Sequence, residues 1–136
     1  MKNKNENKVK LLAMYLPQYY TFEQNDKWWG KGFTEWTNVK NARPLFKGHR
    51  QPRIPYNSNY YCLKDVDSIR WQATLAKEHG IFGWCIYHYW FEGTQMMEIP
   101  PEILLENKDI DIKFVTVHTS CRQGKADSVD SDHKDL

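Results

Sequence analysis

The chain has 136 residues and a formal net charge of +2. That length allows one domain with a core, and the charge is too small to supply the field that nucleic acid or an anionic membrane attracts. Aromatic residues make up 15% of the chain, with six Trp and eight Tyr, a density that suits a ligand surface as well as a core.

Residues 1–8 read as a polar N-terminal tail within the Lys/Asn-rich stretch Met1 to Lys10. The apolar run behind it is too short to span a bilayer, and no small-residue cleavage site follows it as a signal peptide requires. Val9 to Leu16 reads as a first strand, ended by Pro17, with Tyr15 near its C-terminal end. Gln18 to Cys62 then reads as one long irregular segment, punctuated by Pro44, Pro52, Pro55, Gly30, Gly32 and Gly48. Trp28, Trp29, Phe33, Trp36 and Phe46 argue against disorder there, so an ordered loop over the top of the fold is expected.

Asp65 to His79 reads as a helix. Asp65 or Asp67 caps its start, Ile69, Ala73 and Ala76 form its apolar stripe, and Gly80 ends it. Phe82 to Ile86 is a near-continuous apolar run, the pattern of a strand covered on both faces in a parallel sheet. Strand, loop, helix and strand make one βαβ unit. Pro100-Pro101 opens a short helix to about Glu106, and Ile110 to Val117 resembles a third strand. Residues 119–136 read as a divergent, disordered polar tail. The fold class is therefore α/β, with about three parallel strands and two helices over residues 9–118.

Cys62, Cys85 and Cys121 lie far apart with no C-x-x-C spacing. That excludes a disulfide framework or zinc knuckle as a sequence reading, and reduced thiols fit a cytoplasmic protein. No metal cluster, phosphate-binding glycine loop or nucleotide-sugar signature is visible, and no cofactor is expected; Gly30-x-Gly32 is too short for a phosphate cradle.

Two stretches carry chemistry. Tyr87, His88, Tyr89 and Trp90 follow the apolar run and put hydroxyl, imidazole and indole groups at a strand's C-terminal end, where α/β folds gather ligands. Flat rings suit the C–H faces of a sugar and their polar edges suit its hydroxyls. The competing reading is aromatic core with satisfied hydrogen bonds. Asn25 to Val39 is the second stretch. Glu35 lies between aromatic neighbours, so its carboxylate is expected to be partly desolvated, suited to acid–base work or to binding sugar hydroxyls. Its competing reading has Trp28, Trp29 and Trp36 pinning the loop while Glu35 accepts backbone hydrogen bonds.

Leu16-Pro17-Gln18-Tyr19, the Asn25–Val39 stretch, Pro44-Leu45-Phe46-Lys47-Gly48-His49, Gln51-Pro52-Arg53-Ile54-Pro55 and Gly83 to Phe91 occur in that order. Together they resemble the WbsX-like glycosyltransferase family, within the wider group similar to glycoside hydrolase family 99. The resemblance covers about Val9 to Phe114. It implies the N-terminal part of a (β/α)8 barrel of TIM type and a bacterial role in building or trimming surface polysaccharide, O-antigen or capsule. It also places Trp28, Trp29, Glu35, Trp36, Tyr87, His88, Tyr89 and Trp90 near a carbohydrate-binding face.

Beyond Phe114 the resemblance ends. The family continues into a motif like C-W-A-N-E-x-W, where this chain has Val115-Thr116-Val117-His118-Thr119-Ser120-Cys121. The later family segment resembling W-N-E-W-x-E-G, with the glutamates credited with catalysis in the hydrolase relatives, is absent. Glycoside chemistry ordinarily needs two carboxyl groups. The expectation is a truncated or frameshifted copy, inactive alone, with Glu35 as a candidate catalytic group and the transferase or hydrolase character of the parent open. A carbohydrate-binding module, or half of a split enzyme whose barrel a second chain completes, are the alternatives.

Overall fold

The computed structural model describes residues 9–91 and 93–120. Its elements in chain order are β1 (Leu12–Tyr15), α1 (Glu23–Trp29), α2 (Glu35–Asn41), a 3-10 turn (Tyr56–Ser58), α3 (Val66–Glu78), β2 (Gly83–Phe91), β3 (Thr94–Met96), α4 (Ile99–Glu106) and β4 (Lys113–Ser120). The class is mixed α/β. Three strands are parallel, as expected, and the helices number four among the described residues, not two.

β2 is the central strand. On one side it pairs in parallel with β4 along Gly83 to Trp90. On the other it pairs in parallel with β1 from Gly83 to Ile86, and then in antiparallel fashion with β3 from Tyr89 to Phe91. β3 is a short return strand after Gly93 (φ 83°) that the sequence reading missed.

α3 forms as its sequence dictates. The Asp65 carboxylate accepts hydrogen bonds from the backbone amides of Asp67 and Ser68, at 3.3 and 3.0 Å, satisfying donors that a helix start leaves unpaired. At the other end Gly80 adopts φ 78°. Its amide donates to the Lys77 carbonyl at 3.0 Å, and the Ile81 amide donates to Ala76 at 2.9 Å. This is a Schellman stop, which needs a residue that tolerates the left-handed region. Ile81 then packs against the core and turns the chain into β2.

One apolar cluster joins Ile69 and Ala73 of α3, Trp84 and Ile86 of β2, Ile103 and Leu104 of α4, and Ile110 and Ile112 before β4. Ala13, Tyr15 and Phe114, register partners on the flanking strands, pack against it. Side chains alternate across a sheet, so the intervening positions form the opposite face. There Leu12, Met14, Val115 and Val117 are 43%, 58%, 50% and 38% exposed. The sheet is thus covered by helices on one face and open on the other. Arg70 pairs with Asp109 at 2.9 Å, and Lys77 with Asp111, tying α3 to the segment before β4. These pairs are exposed and each adds little stability.

Several expectations are corrected. The segment 18–62 is not uniformly irregular, because α1, α2 and the 3-10 turn lie within it. β1 is shorter than Val9–Leu16. The third strand runs Lys113–Ser120, so Ile110 and Ile112 belong to the buried connection before it, and residues 119 and 120 close β4 instead of opening a tail. The expected tails at 1–8 and 121–136 lie outside the described residues. No helix among the described residues is long and apolar enough to cross a membrane.

Candidate functional site

The C-terminal ends of β1, β2 and β4 share one rim, and the segment between β1 and α3 returns to it. Trp36 makes that return. Its indole N–H donates to the Tyr61 carbonyl at 2.9 Å. Its rings meet Tyr19 at 4.4 Å, Tyr61 at 5.2 Å and Tyr60 at 5.4 Å between centroids, the two latter edge to face. Edge-to-face contacts set the positive rim of one ring on the negative face of another. Tyr19 follows β1 closely, and its carbonyl accepts from the Leu63 amide at 3.1 Å. α2 is therefore fastened beside the end of β1, as the loop-pinning reading of Trp36 requires.

Glu35 begins α2, directly before Trp36. It is half-buried, and its Oε2 atom is buried with no hydrogen-bond partner. Burial raises its pKa above the ordinary glutamate value, while its own backbone amide pulls the other way. A carboxylate with one idle, desolvated oxygen can hold a proton or accept from a hydroxyl brought to it.

Trp28 and Trp29 end α1 and are 64% and 66% exposed. Trp29 stacks on Phe33 at 5.6 Å. Asp26 holds the turn behind them, its Oδ1 accepting from the Gly32 amide at 2.9 Å. The three loop tryptophans thus divide: one is an anchor and two are largely exposed, Trp29 with one face on Phe33.

The pleat of β2 divides the other motif as well. Tyr87 and Tyr89 alternate with Trp84 and Ile86 along the strand; both are half-buried, Tyr87 facing the open side of the sheet and Tyr89 packing against the apolar cluster. His88 and Trp90 lie on the helix-covered face. His88 is 7% exposed, while Trp90 is 43% exposed, its ring 6.2 Å from the His88 ring. His88 meets His118, its register partner on β4, with the two Nδ1 atoms 3.3 Å apart.

Below the rim lies a polar pair that the sequence did not single out. The Tyr15 hydroxyl donates to Gln72 Oε1 at 2.5 Å while its ring stacks on Trp84 at 4.5 Å. Burial, and then the neighbouring Tyr61, push the Tyr15 phenol well above its usual range. Tyr61 is raised by burial and by Tyr19, with Gln72 opposing. Both phenols thus stay neutral, and Tyr15 donates to Gln72. Tyr19, Tyr60, Tyr61, Gln72 and His118 shape the site but were not among the site residues expected from the sequence; the aromatic run Tyr60-Tyr61 before α3 was the available signal. A cleft of about 530 Å3 lies at the opposite ends of the strands, lined by Lys10, Leu11, Phe82 and Lys113 among others, away from these aromatic groups.

The profile of the family described as Glycosyltransferase WbsX matches residues 11–120, through the end of β4 and beyond Phe114, where the resemblance was expected to end. The chain belongs to the WbsX glycosyltransferase family. It is also 50% identical over 90 residues to a protein named WxcX, described as uncharacterized, in two strains of Xanthomonas campestris pv. campestris, B100 and ATCC 33913. That match covers 66% of this chain and 13% of each relative, so the chain spans a small part of their length. No solved structure matches. The WbsX profile takes in β1, both short helices of the loop, α3, β2, β3, α4 and β4, so every structural element of the rim falls within the family's own sequence pattern.

Proposed function

We propose that this WbsX-family chain contributes the sugar-contacting rim of a glycan-active (β/α)8 barrel that works in bacterial surface polysaccharide assembly, O-antigen or capsule. The observation that carries the reading is the position of Tyr87. It stands near the C-terminal end of the central parallel strand and on the sheet face that no helix covers. In a closed barrel that face is the interior, and the strands' C-terminal ends hold the substrate. Trp28, Trp29 and Trp90 add exposed indoles, and Glu35 a desolvated carboxylate.

Sugar contact and turnover separate in this reading. Tyr87 and Tyr89 hydroxyls meet sugar hydroxyls, indole faces meet sugar C–H faces, and Glu35 accepts from a hydroxyl or holds a proton. Glu35 is the one desolvated carboxylate raised in pKa among the described residues, and glycoside chemistry ordinarily sets two carboxyl groups about one bond. The chain alone therefore binds carbohydrate without turning it over, and further strands, from the same or a second chain, bring the remaining groups. The free thiols of Cys62 and Cys85 fit a cytoplasmic setting.

The test is a screen of bacterial polysaccharide fragments for binding, followed by titration read by tryptophan fluorescence. Binding is expected to fall about tenfold in Tyr87→Ala, the loss of one buried stacking or hydrogen-bonding group, and to persist in Phe46→Ala. Absence of any saccharide binding by a folded chain overturns the contact reading. Turnover of a glycoside by the chain alone overturns the division of labour.

A further inference from the structure

We propose that His88 and His118 form a two-histidine clip for a borderline divalent cation of the Zn2+ class at the C-terminal ends of β2 and β4. The two residues are thirty apart in the sequence and become neighbours through strand register alone, His88 opposite His118. Their Nδ1 atoms are 3.3 Å apart, their ring centroids 5.0 Å apart, and their planes at 83°.

That separation lets one imidazole donate its N–H to the other ring's nitrogen when no cation is bound, a long hydrogen bond. The same separation equals the spacing of two nitrogens on a tetrahedral cation. With metal–nitrogen bonds of about 2.0–2.1 Å, the tetrahedral edge is about 3.3–3.4 Å. Two rings radiating from one tetrahedral cation would put their centres about 5.2 Å apart, close to the observed 5.0 Å.

The clip is also held and reachable. His88 is buried and fixed by the central strand, whereas His118 is exposed, so one side opens to solvent. Among the described residues no third His, Cys, Asp or Glu completes a metal-binding group with them. The remaining positions then go to water or to oxygen atoms of a bound molecule, as in metal sites that keep open coordination. Only two protein ligands make the cation exchangeable.

The experiment uses the full chain, free of any histidine tag, stripped with chelator and titrated with Co2+ alone. Expected is one Co2+ per chain, with the visible absorption of a nitrogen- and oxygen-ligated tetrahedral ion. His118→Ala and His88→Gln should each weaken binding at least tenfold. His49→Ala and His79→Ala, whose rings engage backbone groups elsewhere, should bind like the parent. His118 is exposed, so its variant should keep the parent's circular dichroism even if the His88 variant does not. Parent-like affinity in folded His118→Ala, or no Co2+ binding by the parent below millimolar, overturns the clip.

Discussion

Gly83 of β2 lies backbone to backbone against Lys113 of β4. A Cβ at residue 83 would overlap the Lys113 carbonyl and press on Leu12 Cδ2 at 3.1 Å. The glycine serves space here, since its backbone conformation is open to other residues. Gly83→Ala should therefore spread β2 from β4 and lower stability by about 1–3 kcal/mol, the range for overpacking a close contact. The urea midpoint should fall. Unchanged stability would mean that the strands are not this close.

Trp36 supports a graded prediction. Trp36→Phe keeps a ring among Tyr19, Tyr60 and Tyr61 but strands the Tyr61 carbonyl, for a loss of about 1 kcal/mol. Trp36→Ala removes the ring as well and should cost about 3 kcal/mol. Near-UV circular dichroism should lose much of its aromatic signal in the alanine variant while far-UV intensity from α3 and the sheet persists. If instead the two variants unfold alike, the cluster contributes no packing energy.

Glu35 gives a pH dependence with a definite sign. Its folded-state pKa is raised by burial, so the folded chain binds more protons than the unfolded one between the ordinary glutamate value and the raised value. Stability from this group falls as pH climbs through that window and stays lower above it. Glu35→Gln has no charge to desolvate. It should be more stable than the parent at pH 7, and the difference should close below pH 4. Urea melts of both proteins at the two pH values check this; a parent that is the more stable at pH 7 contradicts it.

The open sheet face yields a fourth prediction. Val115 and Val117 of β4, and Met14 and Leu12 of β1 across β2, expose apolar surface on this face. Faces of this kind associate. The apparent mass of the parent in light scattering should rise with concentration, whereas the double variant Val115→Lys, Val117→Lys should stay monomeric over at least a tenfold wider range. Equal behaviour of the two would show that this face is not where copies meet.

The legibility of these features in the sequence followed the range of the interactions behind them. α3 could be read almost to the residue, because Asp65, the Ile69–Ala73–Ala76 stripe and Gly80 act within a turn or two. β2 and α4 were similarly local. α1 and α2 escaped because each has seven residues, lacks a sustained apolar stripe and is bounded by Gly30 or rich in Asn. β3 escaped because three residues hold too little pattern to read. At the rim, the polar aromatic strand end was visible, but its division between two faces required the pleat, and the separation of Trp36 from Trp28 and Trp29 required knowing where Tyr19 and Tyr61 lie. His118 gained meaning only from the register of β4 on β2.

The arrangement around β2 also orders how the molecule should come apart. Residues 83–86 are flanked by β1 and β4, and residues 89 and 90 by β3 and β4, so both margins of the strand are occupied near its two ends. β1 and β4 each lean on a single described neighbour. In deuterated solvent, β2 amides should be the last to exchange, since they are released only when the whole sheet opens, and those of β1 and β4 should leave earlier through fraying. The strand that carries Tyr87 and Tyr89 to the rim is then also the most slowly surrendered part of the fold, which keeps the rim in place while its surroundings breathe.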